Sequence, residues 1–186
     1  MPGKTTSSPV QVVDYDSDWP RIFLQFRNWI WPSVSHVAIA IEHVGGTSVP
    51  GMAAKPIIDV DLVIASRTNL PSVLPGLGRL GYQHRGDLGV EDREAFRVPE
   101  NQPAHHLYVC VQNSLALKNH IAVRDYLRTH LSEAMAYSTL KKALAKRFPN
   151  ERERYGQGKT HFILSILKRC DFSQRELDAI KRTNQI

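Results

Sequence analysis

Two aspartates, Asp59 and Asp61, stand inside the most apolar run of the sequence, Pro-Ile-Ile-Asp-Val-Asp-Leu-Val-Ile over 56–64. Residues two apart on a strand point to the same face, with Cβ atoms about 6–7 Å apart. Like charges held that close, among Ile57, Ile58, Val60, Leu62, Val63 and Ile64, repel each other and lose hydration. A divalent cation shared by the pair removes both penalties, and hard oxygen ligands suit Mg2+. Shortly before the pair comes Gly45-Gly46-Thr47-Ser48. Its glycines let the backbone approach a ligand and aim N–H groups at an anion. Thr47 and Ser48 add hydroxyl donors, and Lys55 is placed to neutralise phosphate or to pair with an aspartate. The Gly-Lys-Ser/Thr ending of a Walker A loop is absent, which excludes a kinase of that type.

The cations that would complete an anion site lie later in the chain. The 186 residues carry a formal net charge of +6, unevenly placed. Residues 1–112 hold 9 Lys and Arg against 11 Asp and Glu, whereas 113–186 hold 15 against 7. An acidic half facing a basic half suits carboxylates on a metal and cations on phosphate. A solvated basic surface on amphipathic helices is the competing reading. Arg124 and Arg128, one turn apart on a helix, face the same way. With Lys141 and Lys159 they are candidate phosphate clamps. An RNA-binding role for the basic half is not favoured, because no stacking-aromatic RNA motif is present.

The elements that must position these residues can be outlined from periodicity. Ser17-Asp18-Trp19-Pro20 reads as a helix start, followed by Trp19, Ile22, Phe23, Phe26, Trp29 and Ile30 at helical spacing. Val37–Ile41 alternates as a strand that feeds the glycine loop, and 56–64 reads as a central strand. Asn69–Leu80 reads as a weak helix, and Glu94–Val98 with His105–Gln112 as a hairpin. Beyond Gln112 the pattern turns helical, with Leu117, Ile121 and Leu127 marking one helix. Ser132 is the expected cap of a second, closed by Pro149. A third is expected over Lys159–Arg169, and a last from Ser173, where Ser173 and Glu176 form a capping box. The fold class expected is α/β, a mixed sheet over about 11–112 followed by a basic helical region over about 113–186. Residues 1–10 read as a disordered tail ahead of a single domain, 11–186.

Cys110 and Cys170, with no other Cys or His in ligand spacing, read as small core residues in a reducing compartment. The N-terminal residues lack an apolar leader core, and no apolar run approaches a membrane span. The expectation is a cytoplasmic protein with no membrane partner.

The run from His43-Val44-Gly45-Gly46-Thr47-Ser48-Val49-Pro50-Gly51-Met52 to Ala53-Ala54-Lys55-Pro56-Ile57-Ile58-Asp59-Val60-Asp61 closely resembles the signature of the GrpB family. The resemblance extends over nearly the whole chain, through Tyr15-Asp16, Trp19-Pro20, His106-Leu107-Tyr108-Val109 and Arg124-Asp125-Tyr126-Leu127-Arg128, to Tyr137, Leu140-Lys141, Tyr155 and Lys159. It implies a branch of the nucleotidyltransferase superfamily, with the polymerase-β-like fold. There a Gly-Ser or Gly-Gly loop binds the phosphates of a nucleotide and a following Asp-x-Asp strand binds Mg2+. Related domains fused to dephospho-CoA kinases hint at coenzyme A metabolism. The chain departs from the pattern in three places. Gly46 stands where the family usually has Ser, and Tyr108 replaces a common His. The third carboxylate usual on a later strand is absent from His105–Gln112. Glu94, Asp87 or Glu91 could substitute, or His106 could take that place.

Two functions follow as expectations. The first is a Mg2+-dependent nucleotidyltransferase, with Asp59 and Asp61 on the metal and His106 as a further catalytic group. Gly45, Gly46, Thr47, Ser48, Lys55, Arg124 and Lys159 would hold a nucleoside triphosphate, and the acceptor is open. The alternative is a nucleotide-binding module without turnover.

Overall fold

The computed structural model describes residues 9–184. Helix α1 (Trp19–Val34) has Pro20 in its first turn, where a missing N–H costs nothing. It buries Trp19, Phe26, Ile30 and Val34 against the sheet, as the aromatic stripe requires. Strand β1 (Ala38–Val44) runs into a single 3-10 turn, Gly46–Ser48, and β2 (Ile58–Ile64) follows. Helix α2 (Leu70–Arg79) leads to the short β3 (Gln83–His84), then β4 (Arg93–Arg97) and β5 (His105–Val111). The sheet order is β1-β2-β5-β4-β3, with β2 and β5 parallel and the other pairs antiparallel. A mixed sheet flanked by helices is the fold class expected.

Register decides what each face carries. Val60, Leu62, Ile64, Leu107 and Val109 share the face packed by α1 and α2, and form the main core with Phe26, Ile30, Val73 and Leu77. Asp59 and Asp61 point to the other face, aligned with His106 and Tyr108 on β5 and with Val44 and Glu42 on β1. Helix α3 (Leu115–Thr129) packs on that face through Leu117 and Ile121, and α4 (Leu131–Arg147), α5 (Arg152–Gly158), α6 (Thr160–Arg169) and α7 (Gln174–Thr183) pack on α3 or on one another. No helix among the described residues is long and apolar enough to cross a membrane.

Several boundaries differ from the periodicity reading. Helix α4 begins at Leu131, one residue before the expected cap Ser132, with His130 at the cap position. Helix α5, about two turns long, carries no apolar stripe and does not follow from the periodicity; only Tyr155 is buried in it. Of the expected tail, 1–8 lies outside the described residues. Val10 is buried beside Ala145 and Tyr155 and donates its N–H to the Pro149 carbonyl at 2.6 Å.

Candidate functional site

A cavity of about 320 Å3 opens where β1, β2 and β5 meet the helices, a volume in the range of small-molecule sites. Its floor is Gly45, Gly46, Asp59 and His106, and its walls include His120 and Arg124 from α3, Lys141 from α4, and Lys159. Lys55 and Tyr155 close one side.

Gly45 is the point of closest approach. Its φ of 71° and ψ of −168° fall in a region that essentially only glycine enters. A Cβ there would lie 2.1 Å from Oδ2 of Asp59, so the loop sits directly against the carboxylate. A Cβ on Gly46 would lie 3.2 Å from the ammonium of Lys141. The glycine pair therefore brings backbone between an anion and a cation.

The hydroxyls of Thr47 and Ser48, expected to face phosphate, turn inward and do not line the cavity. Thr47, 1% exposed, donates to the Ile57 carbonyl at 3.3 Å and lies 3.0 Å from Nε2 of His43. Burial holds His43 down to about 4, so its ring is neutral near pH 7 and donates Nε2–H to that hydroxyl. Ser48 donates to the Gly45 carbonyl at 2.6 Å. A loop this buried must satisfy its own polar groups, and these two side chains do so.

The two arginines are also partly committed. Arg128 donates two N–H groups to the Ser48 carbonyl, at 3.0 and 2.9 Å, so it fixes the loop and does not line the cavity. Arg124 does line it, yet donates to Glu42 at 2.7 Å, to Asp125 at 2.7 Å and to the His43 carbonyl at 3.1 Å.

The lysines are different. Lys141 is 4% exposed and its Nζ has no hydrogen-bond partner among the described residues. It lies 4.7 Å over the ring of Tyr137. Burial, reinforced by nearby Lys159 and opposed by Asp59, pushes its pKa down to about 7. Lys159 sits 4.7 Å over Tyr155, and burial with the charge of Lys55 lowers it to about 8. Lys55 is lowered too, by burial first, against the pull of Asp59. Three desolvated ammonium groups thus converge on a cavity with one carboxylate in its lining.

That carboxylate is Asp59, whose side chain is 29% exposed. His106 donates Nδ1–H to its Oδ1 at 2.8 Å. Desolvation pushes Asp59 up, but the hydrogen bond and charge of His106, with Lys55 and His120, outweigh it and hold it below its ordinary value. Asp61 is fully buried and does not line the cavity. His120, which periodicity did not single out, stands in front of it and donates Nδ1–H to Oδ2 at 2.7 Å. Burial would lower His120, but the Asp61 charge and hydrogen bond prevail and raise it. Oδ1 of Asp61 has no hydrogen-bond partner among the described residues. With one open carboxylate and one unpaired carboxylate oxygen on the same sheet face, the donor set fits a divalent cation.

The position aligned with Asp59 on β5 belongs to His106, not to an acid. Glu94 aligns with Val109 and so points to the opposite face, where it accepts from Arg67 at 3.0 Å and from His84 at 2.7 Å. Asp87 is exposed and accepts from the Gly89 N–H, and Glu91 lies outside this cavity. The carboxylate that does share the face is Glu42, aligned with Asp61 across β1 and β2 and tied to Arg124. His105, next to His106, faces the core, where it donates to Pro103 and accepts from Tyr82 at 2.7 Å.

Comparison with known proteins bears on the family and the fold. The UPF0157 protein YqkA of Bacillus subtilis is 34% identical over 154 residues, which is 83% of this chain but 45% of that protein. The chain thus spans about half the length of that relative. A dephospho-CoA kinase of Mycolicibacterium paratuberculosis is 31% identical over 78 residues, 40% of this chain and 19% of the kinase. The crystal structure of conserved protein GrpB from Enterococcus faecalis superposes with a TM-score of 0.76 at 29% identity, covering 92% of this chain and 98% of that one. Cid1 poly(U) polymerase, in its MgGTP-bound crystal structure, superposes with a TM-score of 0.52 at 12% identity over 73% of this chain and 45% of its own, which shows a shared nucleotidyltransferase-like fold. The profile of the GrpB protein family matches residues 9–169, and the chain belongs to that family.

Proposed function

We propose that the cavity binds a nucleoside triphosphate with a divalent cation, and that the protein transfers its nucleotidyl group to an acceptor hydroxyl. The observation that carries this reading is the buried ammonium of Lys141, without a hydrogen-bond partner among the described residues, beside the Gly45–Gly46 backbone, with Lys55 and Lys159 on the same cavity. A desolvated ammonium without a partner is costly, and a polyanion in the cavity removes that cost. Asp59 and Asp61 would hold the cation, with Mg2+ the ion their oxygens suit. When bound, it neutralises phosphate charge and orients the α-phosphorus. Gly45 and Gly46 present backbone to the phosphates, and Lys141 and Lys159 take their charge. The acceptor oxygen bonds to the α-phosphorus as the bond to pyrophosphate breaks, and its proton passes to the exposed ring nitrogen of His106, oriented by Asp59. The likeness to part of a dephospho-CoA kinase supports a link to coenzyme A metabolism.

A second reading, a nucleotide-binding module without turnover, draws on one observation: His106 occupies the place on β5 aligned with Asp59, where a third acid would stand. Incubating the protein with Mg2+ and each α-labelled nucleoside triphosphate separates the two. Pyrophosphate release with a labelled adduct supports transfer, while saturable binding with intact nucleotide supports the module. No binding of any triphosphate overturns both.

A further inference from the structure

On the same sheet face as the two aspartates, behind the cavity wall, the fold gathers a cluster that shares Asp61 with the proposed transfer and adds two residues, Cys110 and His120, that the transfer does not use. The parallel pairing of β2 with β5 aligns Val63 with Cys110, so Cys110 shares the face of Asp61, one pleat further along. Helix α3 then lays His120 against Asp61. A carboxylate oxygen of Asp61, the Cys110 sulfur and a ring nitrogen of His120 all lie within 4.8 Å of one another. Asp61 and Cys110 are both 0% exposed.

We propose that Asp61, Cys110 and His120 form a binding site for a thiophilic divalent cation of the Zn2+ class, distinct from the cation of the nucleotide cavity. Three observations point there. The first is the donor set itself, which is mixed. Hard cations such as Mg2+ take oxygen ligands, whereas sulfur with imidazole and carboxylate is a set that Zn2+ and Co2+ accept. Secondly, Oδ1 of Asp61 is fully buried with no N–H or O–H donor among the described residues, and a weak thiol donor such as Cys110 leaves a buried carboxylate oxygen underpaired. The third is spacing. Tetrahedral bonds of 2.0–2.3 Å put ligand atoms about 3.3–3.8 Å apart, so the three groups need draw together by only about an ångström.

Coordination balances simply. The thiol proton of Cys110 leaves to solvent and the sulfur binds as thiolate. The ligating nitrogen of His120 presents its lone pair and the ring proton sits on the other nitrogen. Of the three residues only His120 also lines the cavity, so an ion here would fix the cavity wall. A carboxylate can serve two ions through its two oxygens, so the site does not depend on nucleotide binding and does not preclude it.

Cobalt titration of the tag-free full chain, stripped with a chelator, tests the site. The expected result is one Co2+ per chain with a near-ultraviolet thiolate-to-cobalt absorption, displaced by one equivalent of Zn2+. The chain has two cysteines, so survival of that band in Cys170→Ala assigns it to Cys110 even if Cys110→Ala fails to fold. Where Cys110→Ala folds, the band disappears, and Asp61→Asn weakens Co2+ binding at least tenfold. Absence of the band from the wild type, or its loss in Cys170→Ala, overturns the proposal: Asp61 is then held by an imidazolium and a thiol that keep their protons. Mg·ATP binding measured on the same stripped protein reports on the nucleotide reading separately, since failure of either leaves the other standing.

Discussion

Lys141 shows how a single residue can be conspicuous in sequence yet uninterpretable there. It is one of 15 Lys and Arg after residue 112, and only the resemblance through Leu140-Lys141 separates it from Lys142. Folding does: Lys142 reaches solvent and Asp14, while Lys141 is buried without a hydrogen-bond partner among the described residues. Its isostere test follows. Lys141→Met should raise or hold the melting temperature, because the desolvated ammonium is removed and the volume kept. The same change should weaken Mg·ATP binding more than tenfold by calorimetry. A lowered melting temperature with unchanged affinity would mark Lys141 as a structural group. Its pH behaviour has a definite sign. A lysine at about 7 when folded and near its ordinary value when unfolded costs stability fully below pH 7. That cost shrinks as pH rises toward the unfolded pKa, so this group contributes a rise in stability across that window. Ligand binding runs the other way, because phosphate wants the charged form. Affinity for tripolyphosphate should fall between pH 7 and 9, and binding near pH 8 should take up protons, read as an enthalpy that varies with buffer ionisation. The residue-scale blind spots share one cause: His120 meets Asp61 across 59 positions, a contact that only the sheet and α3 together create.

At the scale of elements, strong periodicity was legible and satisfied backbone was not. The 56–64 run reads as a central strand and the alternation before Gly45 as a strand; both hold, as does the pair β4 and β5, while the pairing of β1 with β2 was not legible. Helix α5 escaped because its seven residues bury only Tyr155, too little for a stripe. The Gly46–Ser48 turn misled in a more instructive way. Hydroxyls after a glycine pair look like ligand donors, yet a buried loop uses them on itself. Thr47→Val therefore separates the two roles. It should cost about 1–3 kcal/mol, by leaving the His43 Nε2–H without an acceptor, and change Mg·ATP affinity less than twofold. A large affinity loss with stability intact would return Thr47 to the ligand. Gly45→Ala should behave oppositely to a surface change, lowering stability by about 3 kcal/mol through strained φ and contact with Asp59. Chemical denaturation checks both.

The whole molecule joins two halves that composition separates, one acidic and sheet-bearing, the other basic and helical. The joint is apolar. Val49 and Met52, in the loop just past the glycine turn, are each 1% exposed and pack into the helical half with Leu127, Ala134, Tyr137 and Ile166. The sequence places Met52 among turn residues between Pro50-Gly51 and the strand, so its burial depends on helices that lie more than seventy positions away. The loop that forms the cavity floor is thus pinned by the same contacts that dock the helices bearing the lysines, and binding and global stability must be coupled. The two halves should therefore unfold in one transition, with fluorescence of the tryptophans of α1 and far-ultraviolet dichroism coinciding. Met52→Ala should lower stability by about 2–5 kcal/mol with the denaturant slope unchanged. Because Met52 also lines the cavity, the substitution should weaken Mg·ATP binding as well. If the two probes separate in the wild type, with the helical half melting first, the halves are independent units and the coupling is wrong. If instead Met52→Ala costs its stability but leaves affinity intact, the floor of the site is set by Gly45, Arg128 and β2 alone, and the helices deliver their lysines without shaping the loop.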